Sequence, residues 1–130
     1  MRSHDQPPAG AGTIALDDGI GIELRPGGDG GLVCRIAGDL DIDSLAPAQE
    51  ALAGALRDSR LVVVDLAQVR FCDSSGLNML LLARTSALAA GTGLRLAAVS
   101  QPVQRLLEIT GAHAAFDLYP TVRAALEELS

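Results

Sequence analysis

Apolar and polar positions alternate over Ile20-Gly-Ile-Glu-Leu24, and a second apolar stretch, Leu32-Val-Cys-Arg-Ile-Ala37, follows the turn cluster Pro26-Gly-Gly-Asp-Gly-Gly31. A period of two flanked by Gly and Pro predicts two strands joined as an antiparallel hairpin. The pattern then lengthens to a helical one: Leu45, Leu52 and Leu56 share a face, Pro47 is tolerated in the first turn, Arg57 lies near the end, and Ser44 is the expected cap. Leu61-Val-Val-Val64 has no polar alternation at all. Such a run predicts a strand covered on both faces, in the middle of a parallel sheet.

From Ser74 to about Ala90 the chain reads as helix and stops at Gly91-Thr-Gly93, after which Leu94-Arg-Leu-Ala-Ala-Val99 returns as a strand. Together these make a β-α-β unit, right-handed by rule. Ser100-Gln-Pro opens a third helix with Val103, Leu106, Leu107 and Thr110 on one face and Gly111 as its C-cap. Phe116-Asp-Leu118 predicts a short edge strand, and Thr121 to Leu129 a last helix burying Val122, Ala125, Leu126 and Leu129. The order β-β-α-β-α-β-α-β-α describes one α/β domain, a mixed sheet of four to five strands packed with about four helices. Residues 1–12, rich in Pro, Gly and Ala and without periodicity, predict a disordered lead, so the domain is assigned to 13–130.

Composition narrows what this domain does. The chain, at 130 residues, is large enough for a core without metals or disulfides. It is 48% hydrophobic with a mean hydropathy of +0.29, yet its longest apolar runs are far too short to cross a bilayer, so no membrane role is expected. The N-terminus has no apolar segment of the signal-peptide kind, which makes the cytoplasm the expected compartment and Cys34 and Cys72 reduced thiols. A net charge of −6, with one Tyr and two Phe, argues against direct binding of nucleic acid and for a protein partner. All ten basic residues are Arg; with no Lys, the P-loop lysine, the Schiff-base lysine and the Ser-Lys dyad are excluded.

Two segments follow sheet strands: Gly38-Asp-Leu-Asp41 and Cys72-Asp-Ser-Ser-Gly76. Ligands and partners bind at the carboxyl edge of open α/β sheets. If the two strands are neighbours, Asp39, Asp41, Asp73, Ser74 and Ser75 gather on one rim. Asp73 and Ser74 also suit a helix N-cap, worth about 1 kcal/mol, and a cap does not exclude chemistry. Gly76 in a first helical turn costs about 0.8–1 kcal/mol relative to Ala, so something needs the missing side chain. Either neighbouring backbone or an approaching partner or phosphate explains it. Leu77, Met79, Leu80, Leu81, Leu82 and Ala83 cover nearly the whole circumference of the helix, leaving Asn78 and Thr85 as a narrow polar stripe. Deep burial accounts for this, or an apolar docking face.

Catalysis by either serine lacks a base. The two histidines are His4, in the lead, and His113, in a loop, and the glycines of a nucleophile elbow are missing. Cys34 and Cys72 lack metal or redox spacing and read as small buried hydrophobes. No enzyme, cofactor or metal is expected. Reversible phosphorylation needs only a hydroxyl at a helix N-terminus. A phosphoserine adds roughly −1.5 to −2 charges that the helix dipole tolerates. Against a partner carboxylate about 4 Å away the repulsion lies between ~1 kcal/mol in water and ~4 kcal/mol at an effective dielectric of about 20. That is about 5-fold to about 1000-fold in affinity, enough for a switch.

Gly38-Asp-Leu-Asp41, then Val64-Asp-Leu-Ala-Gln-Val-Arg-Phe-Cys-Asp-Ser-Ser-Gly-Leu77, then Val99-Ser-Gln-Pro-Val-Gln-Arg-Leu-Leu107 with Thr110-Gly111 resembles the STAS domain, specifically the bacterial anti-sigma factor antagonists, from about Ile20 onward. The resemblance implies a STAS-type fold and a partner switch. The unphosphorylated antagonist binds an anti-sigma factor that is also a serine kinase, which frees the sigma factor for transcription. Phosphorylation of the first serine of the motif, Ser74, ends binding until a serine phosphatase restores it. By the same carry-over Asp41 is the acidic residue beside the phosphorylation loop. Asp39, Asp73, Ser75, Gly76, Leu77 and Asn78 complete the loop and partner-binding set. Asn78 departs from the glycine or other small residue frequent there. STAS domains also occur on anion transporters, in lipid-transport complexes and in stress-signalling assemblies, so a scaffold or accessory role without phosphorylation is the alternative.

Overall fold

The computed structural model describes residues 12–15 and 20–127. Six strands form one sheet in sequence order: β1 (Gly12–Ala15), β2 (Ile20–Gly28), β3 (Gly31–Leu40), β4 (Leu61–Cys72), β5 (Gly93–Ala97) and β6 (Asp117–Tyr119). The first three pair antiparallel and β3 to β6 pair parallel, so the sheet is mixed. Helices α1 (Ala46–Asp58), α2 (Ser74–Ala90) and α3 (Gln101–Thr110) make the three crossovers, and α4 (Val122–Glu127) follows β6.

All five predicted strands are present, and β1 adds a sixth at the edge. It begins at Gly12, which the sequence assigned to the lead; residues 1–11, with His4, and Leu129 lie outside the described residues. Val62 and Val64 join the larger core with Cys34, Ile36, Leu52 and Leu80, while Leu61 and Val63 join a smaller one with Val33 and Ala125 of α4. This two-sided burial is why that run carries no polar alternation.

Three local expectations are corrected. Ser44 is not the cap of α1: the N-cap is Leu45, with no side-chain cap bond, because the amides of Ser44 and Leu45 both donate to the Asp41 carbonyl at 3.0 Å and form a turn before the helix starts. Gly38-Asp39-Leu40 is not loop but the end of β3, held in the ladder by pairing with β4. On β5 the strand stops at Ala97 because Ala98 takes a left-handed backbone (φ 53°), which breaks the ladder before Val99.

The site owes its position to the length of β4. The β3–β4 register shifts twice, between Arg35 and Ala37 and between Gly38 and Asp39, each time giving β4 one extra residue. Such bulges bend a strand and raise its twist. Buried Asp65 anchors the first: its Oδ1 accepts from the Ala67 amide at 3.0 Å, and its Oδ2 lies 3.6 Å from Arg35 Nε. Pairing with β5 ends at Asp65, so Leu66–Cys72 runs past that neighbouring strand and, among the described residues, has β3 as its strand partner. The two strand ends project together, and α2 starts from the tip.

Candidate functional site

The tip is built from the last β3–β4 pair, Leu40 with Cys72, and the residues just beyond it. The amide of Asp73 donates to the Leu40 carbonyl at 3.2 Å, which ties the two strand exits together. Asp73 has extended backbone angles and is the N-cap of α2; its Oδ1 accepts from the amides of Ser75 at 2.9 Å and Gly76 at 3.2 Å. Capping therefore falls to the aspartate. Ser74, the first residue of the helix, is exposed, and its hydroxyl makes no hydrogen bond among the described residues.

The two explanations of Gly76 are now separable. A Cβ built there would lie 2.6 Å from the Leu40 carbonyl oxygen, 2.8 Å from Leu40 Cβ and 2.9 Å from Cys72 Sγ. Neighbouring backbone requires the glycine. Close packing of α2 against the end of β3 leaves no room for a methyl group, whatever binds outside. Leu77, 8% exposed, is buried beside it. Gly76 and Leu77 thus support the loop from beneath, and the surface around Ser74 is made by other residues.

Asp39, Asp41 and Asp73 do share the rim, since Asp39 pairs with Phe71 at the end of the ladder and Asp41 and Asp73 follow the final pair. Asp41 Oδ1 accepts from the Asp43 amide at 3.1 Å, a local turn that shapes the β3–α1 connection. Asp39 Oδ1 is 3.6 Å from Arg70 Nη2, an exposed pair worth little to stability. The rim is acidic where Ser74 stands.

Helix α2 is neither wholly buried nor wholly a docking face. Met79, Leu80, Ala83 and Ala87 are buried, whereas Leu82 is 51% exposed on the outward stripe that runs from Ser75 through Asn78. Between α1 and α2 a groove of about 200 Å³ opens beside Ser75, lined by Ile42, Leu45, Gln49, Ser75, Asn78, Met79 and Leu82. Ile42, 69% exposed, and Phe71, 49% exposed, were not singled out from sequence. The available signal was Ile42 standing alone between Asp41 and Asp43, an apolar residue with no periodic partner. Asn78 is exposed at the groove and its side chain makes no hydrogen bond among the described residues.

Both cysteines are buried. Burial pushes the Cys34 thiol up to about 12, and burial followed by the charge of Asp73 pushes Cys72 up to about 11. Thiolate chemistry is disfavoured at both, in keeping with small core residues. His113 sits in the short 3₁₀ turn Ala112–Ala115, its Nδ1 3.4 Å from the Leu107 carbonyl. Among the described residues no group of three or more His, Cys, Asp or Glu side chains is placed to hold a metal ion. No helix among them is long and apolar enough to cross a membrane.

A mixed sheet whose two central parallel strands project a helix-capping loop with an exposed serine defines an α/β domain of the STAS type. The chain belongs to the STAS domain family: the family profile described as "Mlab, STAS domain" matches residues 27–120. An anti-sigma factor antagonist from Mycobacterium paratuberculosis is similar in structure, with a TM-score of 0.75 and 29% identity over 89% of this chain and 98% of that one. SpoIIAA, an anti-sigma factor antagonist, shares the fold in its unphosphorylated form (TM-score 0.70, 18% identity, 83% and 95% of the two chains). The Bacillus protein in its phosphorylated form does so too (0.67, 17%, 84% and 99%). The STAS domain of a SulP transporter from Vibrio cholerae also shares it, at 0.57 and 18% identity over 68% and 72%. No curated protein sequence matches the chain.

Proposed function

We propose that this protein is an anti-sigma factor antagonist working by partner switching in the cytoplasm, by binding rather than turnover. Unphosphorylated, it binds an anti-sigma factor that is also a serine kinase and so frees a sigma factor. Phosphate on Ser74 ends that binding, and a serine phosphatase reverses it. The observation that carries this reading is the division of labour at the start of α2: Asp73 caps the helix, leaving the Ser74 hydroxyl exposed and without a hydrogen bond among the described residues. Modification there need not disturb the fold, because the positive end of a 17-residue helix accepts added negative charge. The likeness to SpoIIAA structures in both phosphorylation states supports the same point.

The switch follows from electrostatics. An acceptor serine must approach the terminal phosphate of the kinase's ATP, so a phosphoserine faces the phosphates of ADP across a short gap. Asp73 and the other rim carboxylates add to this like-charge contact. The test is phosphate incorporation with the cognate kinase and ATP, read by intact mass and site mapping, together with binding of Ser74→Ala and Ser74→Asp. One phosphate on Ser74, binding kept in Ser74→Ala and lost in Ser74→Asp is the expected result. No phosphate, or phosphate wholly on Ser75, refutes the site.

A second reading, a STAS scaffold or accessory subunit without phosphorylation, draws support from the matched family's description and from the likeness to a transporter STAS domain. It requires that Ser74→Asp leave partner binding unchanged.

A further inference from the structure

We infer that the α1–α2 groove beside Ser75 receives a single aliphatic side chain of the kinase, flanked on the kinase by basic residues; this rests on the partner-switch reading above. Size is the first reason. Sites that enclose a nucleotide or drug-sized ligand run from about 300 to 1,000 Å³, whereas this groove holds about 200 Å³, which suits one side chain. Ile42, Leu45, Met79 and Leu82 make up the apolar part of its lining, and Gln49 and Asn78 stand among them as polar groups.

Continuity is the second reason. Ser75 lines the groove and directly follows Ser74, so a protein whose active centre reaches the Ser74 hydroxyl must cover the groove as well. Charge is the third. Ile42 at the rim is bracketed by Asp41 and Asp43, and the chain carries a net charge of −6. Basic residues on the occupant would match those carboxylates. A second copy of this chain, meeting it patch to patch, would set the same carboxylates against each other. A buried apolar anchor with a charged rim is the arrangement in which a few residues carry most of the binding energy.

The test uses the full chain and each purified anti-sigma serine kinase of the same genome, with ADP, by titration calorimetry on wild type, Ser74→Asp and Leu82→Glu. Leu82 is half exposed, so its replacement leaves the fold intact; Ile42→Asp, on the β3–α1 connection, repeats the test from a different element. The expected result is about 30-fold weaker binding in Leu82→Glu and Ile42→Asp with unchanged melting temperature. With ATP, both variants still accept a full phosphate at high kinase concentration. If both variants bind within twofold of wild type while Ser74→Asp does not bind, the groove inference falls and the partner switch stands. If wild type binds no kinase, or Ser74→Asp binds as wild type does, both fall. A wild-type dimer in sedimentation that Leu82→Glu dissociates would assign the groove to a second copy and overturn the inference.

Discussion

Replacing Gly76 by Ala sets two effects of opposite sign against each other at the site. As a helix substitution it is favourable by up to about 1 kcal/mol, because Ala outranks Gly in a first turn as elsewhere. As a packing change it is not. The new methyl would meet the Leu40 carbonyl oxygen at 2.6 Å and Leu40 Cβ at 2.8 Å. Cys72 Sγ, at 2.9 Å, can rotate away, but Leu40 is fully buried and its carbonyl accepts the Asp73 amide at 3.2 Å. Relief therefore means moving the start of α2 off the sheet. Overpacking of this kind costs about 1–3 kcal/mol, and a strained or lost Asp73–Leu40 hydrogen bond adds about 1 kcal/mol. The net expectation is a loss of about 1–3 kcal/mol. In urea, with a slope of about 2 kcal/mol/M, the midpoint falls by about 0.5–1.5 M at unchanged slope. A Gly76→Ala protein as stable as wild type, or more so, would refute the claim that backbone approach requires this glycine.

Removing the cap in Asp73→Ala leaves two first-turn amides without their acceptor and should cost about 1 kcal/mol, seen as a lower melting temperature; Asp73→Asn should recover most of it. Two leucines of one helix should separate: Leu80→Ala, fully buried, loses about 2–5 kcal/mol, while Leu82→Ala, half exposed, stays within about 1 kcal/mol in the same denaturation assay. Asn78→Ala should leave stability within about 0.5 kcal/mol, since the side chain is exposed and makes no hydrogen bond among the described residues. Stability should also fall at alkaline pH. Both thiols titrate higher folded than unfolded, at about 12 for Cys34 and about 11 for Cys72. The stability they confer is complete below the unfolded value of about 8.5 and is lost as pH climbs toward the folded values. Urea midpoints from pH 8 to 10.5 should drop in wild type and be flatter in Cys34→Ala/Cys72→Ala.

The elements most legible in sequence were those with local causes. Ser74 to Ala90 was bounded correctly because Asp73 and Gly91 are terminators in their own right, a side-chain acceptor and a residue at ease at φ 72°. The central place of Leu61–Val64 was legible because burial on both faces leaves no polar position to keep. Ser44 misled because a hydroxyl before a helix looks like a cap wherever it stands. Only the turn closed on the Asp41 carbonyl shows that the helix begins later. The end of β3 reads as loop in the sequence because it carries Gly38 and Asp39 with Asp41 just after, and its strand character comes from pairing with β4.

At the site itself the chain alone determined a buried strand, a capped helix and an acidic, hydroxyl-bearing joint between them, and its motifs pointed to the family. Those depend on residues within a few positions of one another. Tertiary structure decided the rest. It assigned the cap to Asp73 and freed Ser74, and it traced Gly76 to the backbone of Leu40. It also buried Leu77 while exposing Leu82 and set Ile42 beside Ser75. The cap is a contact within one turn; the others depend on how closely β3, α1 and α2 approach, a distance between segments far apart in sequence that no periodicity encodes.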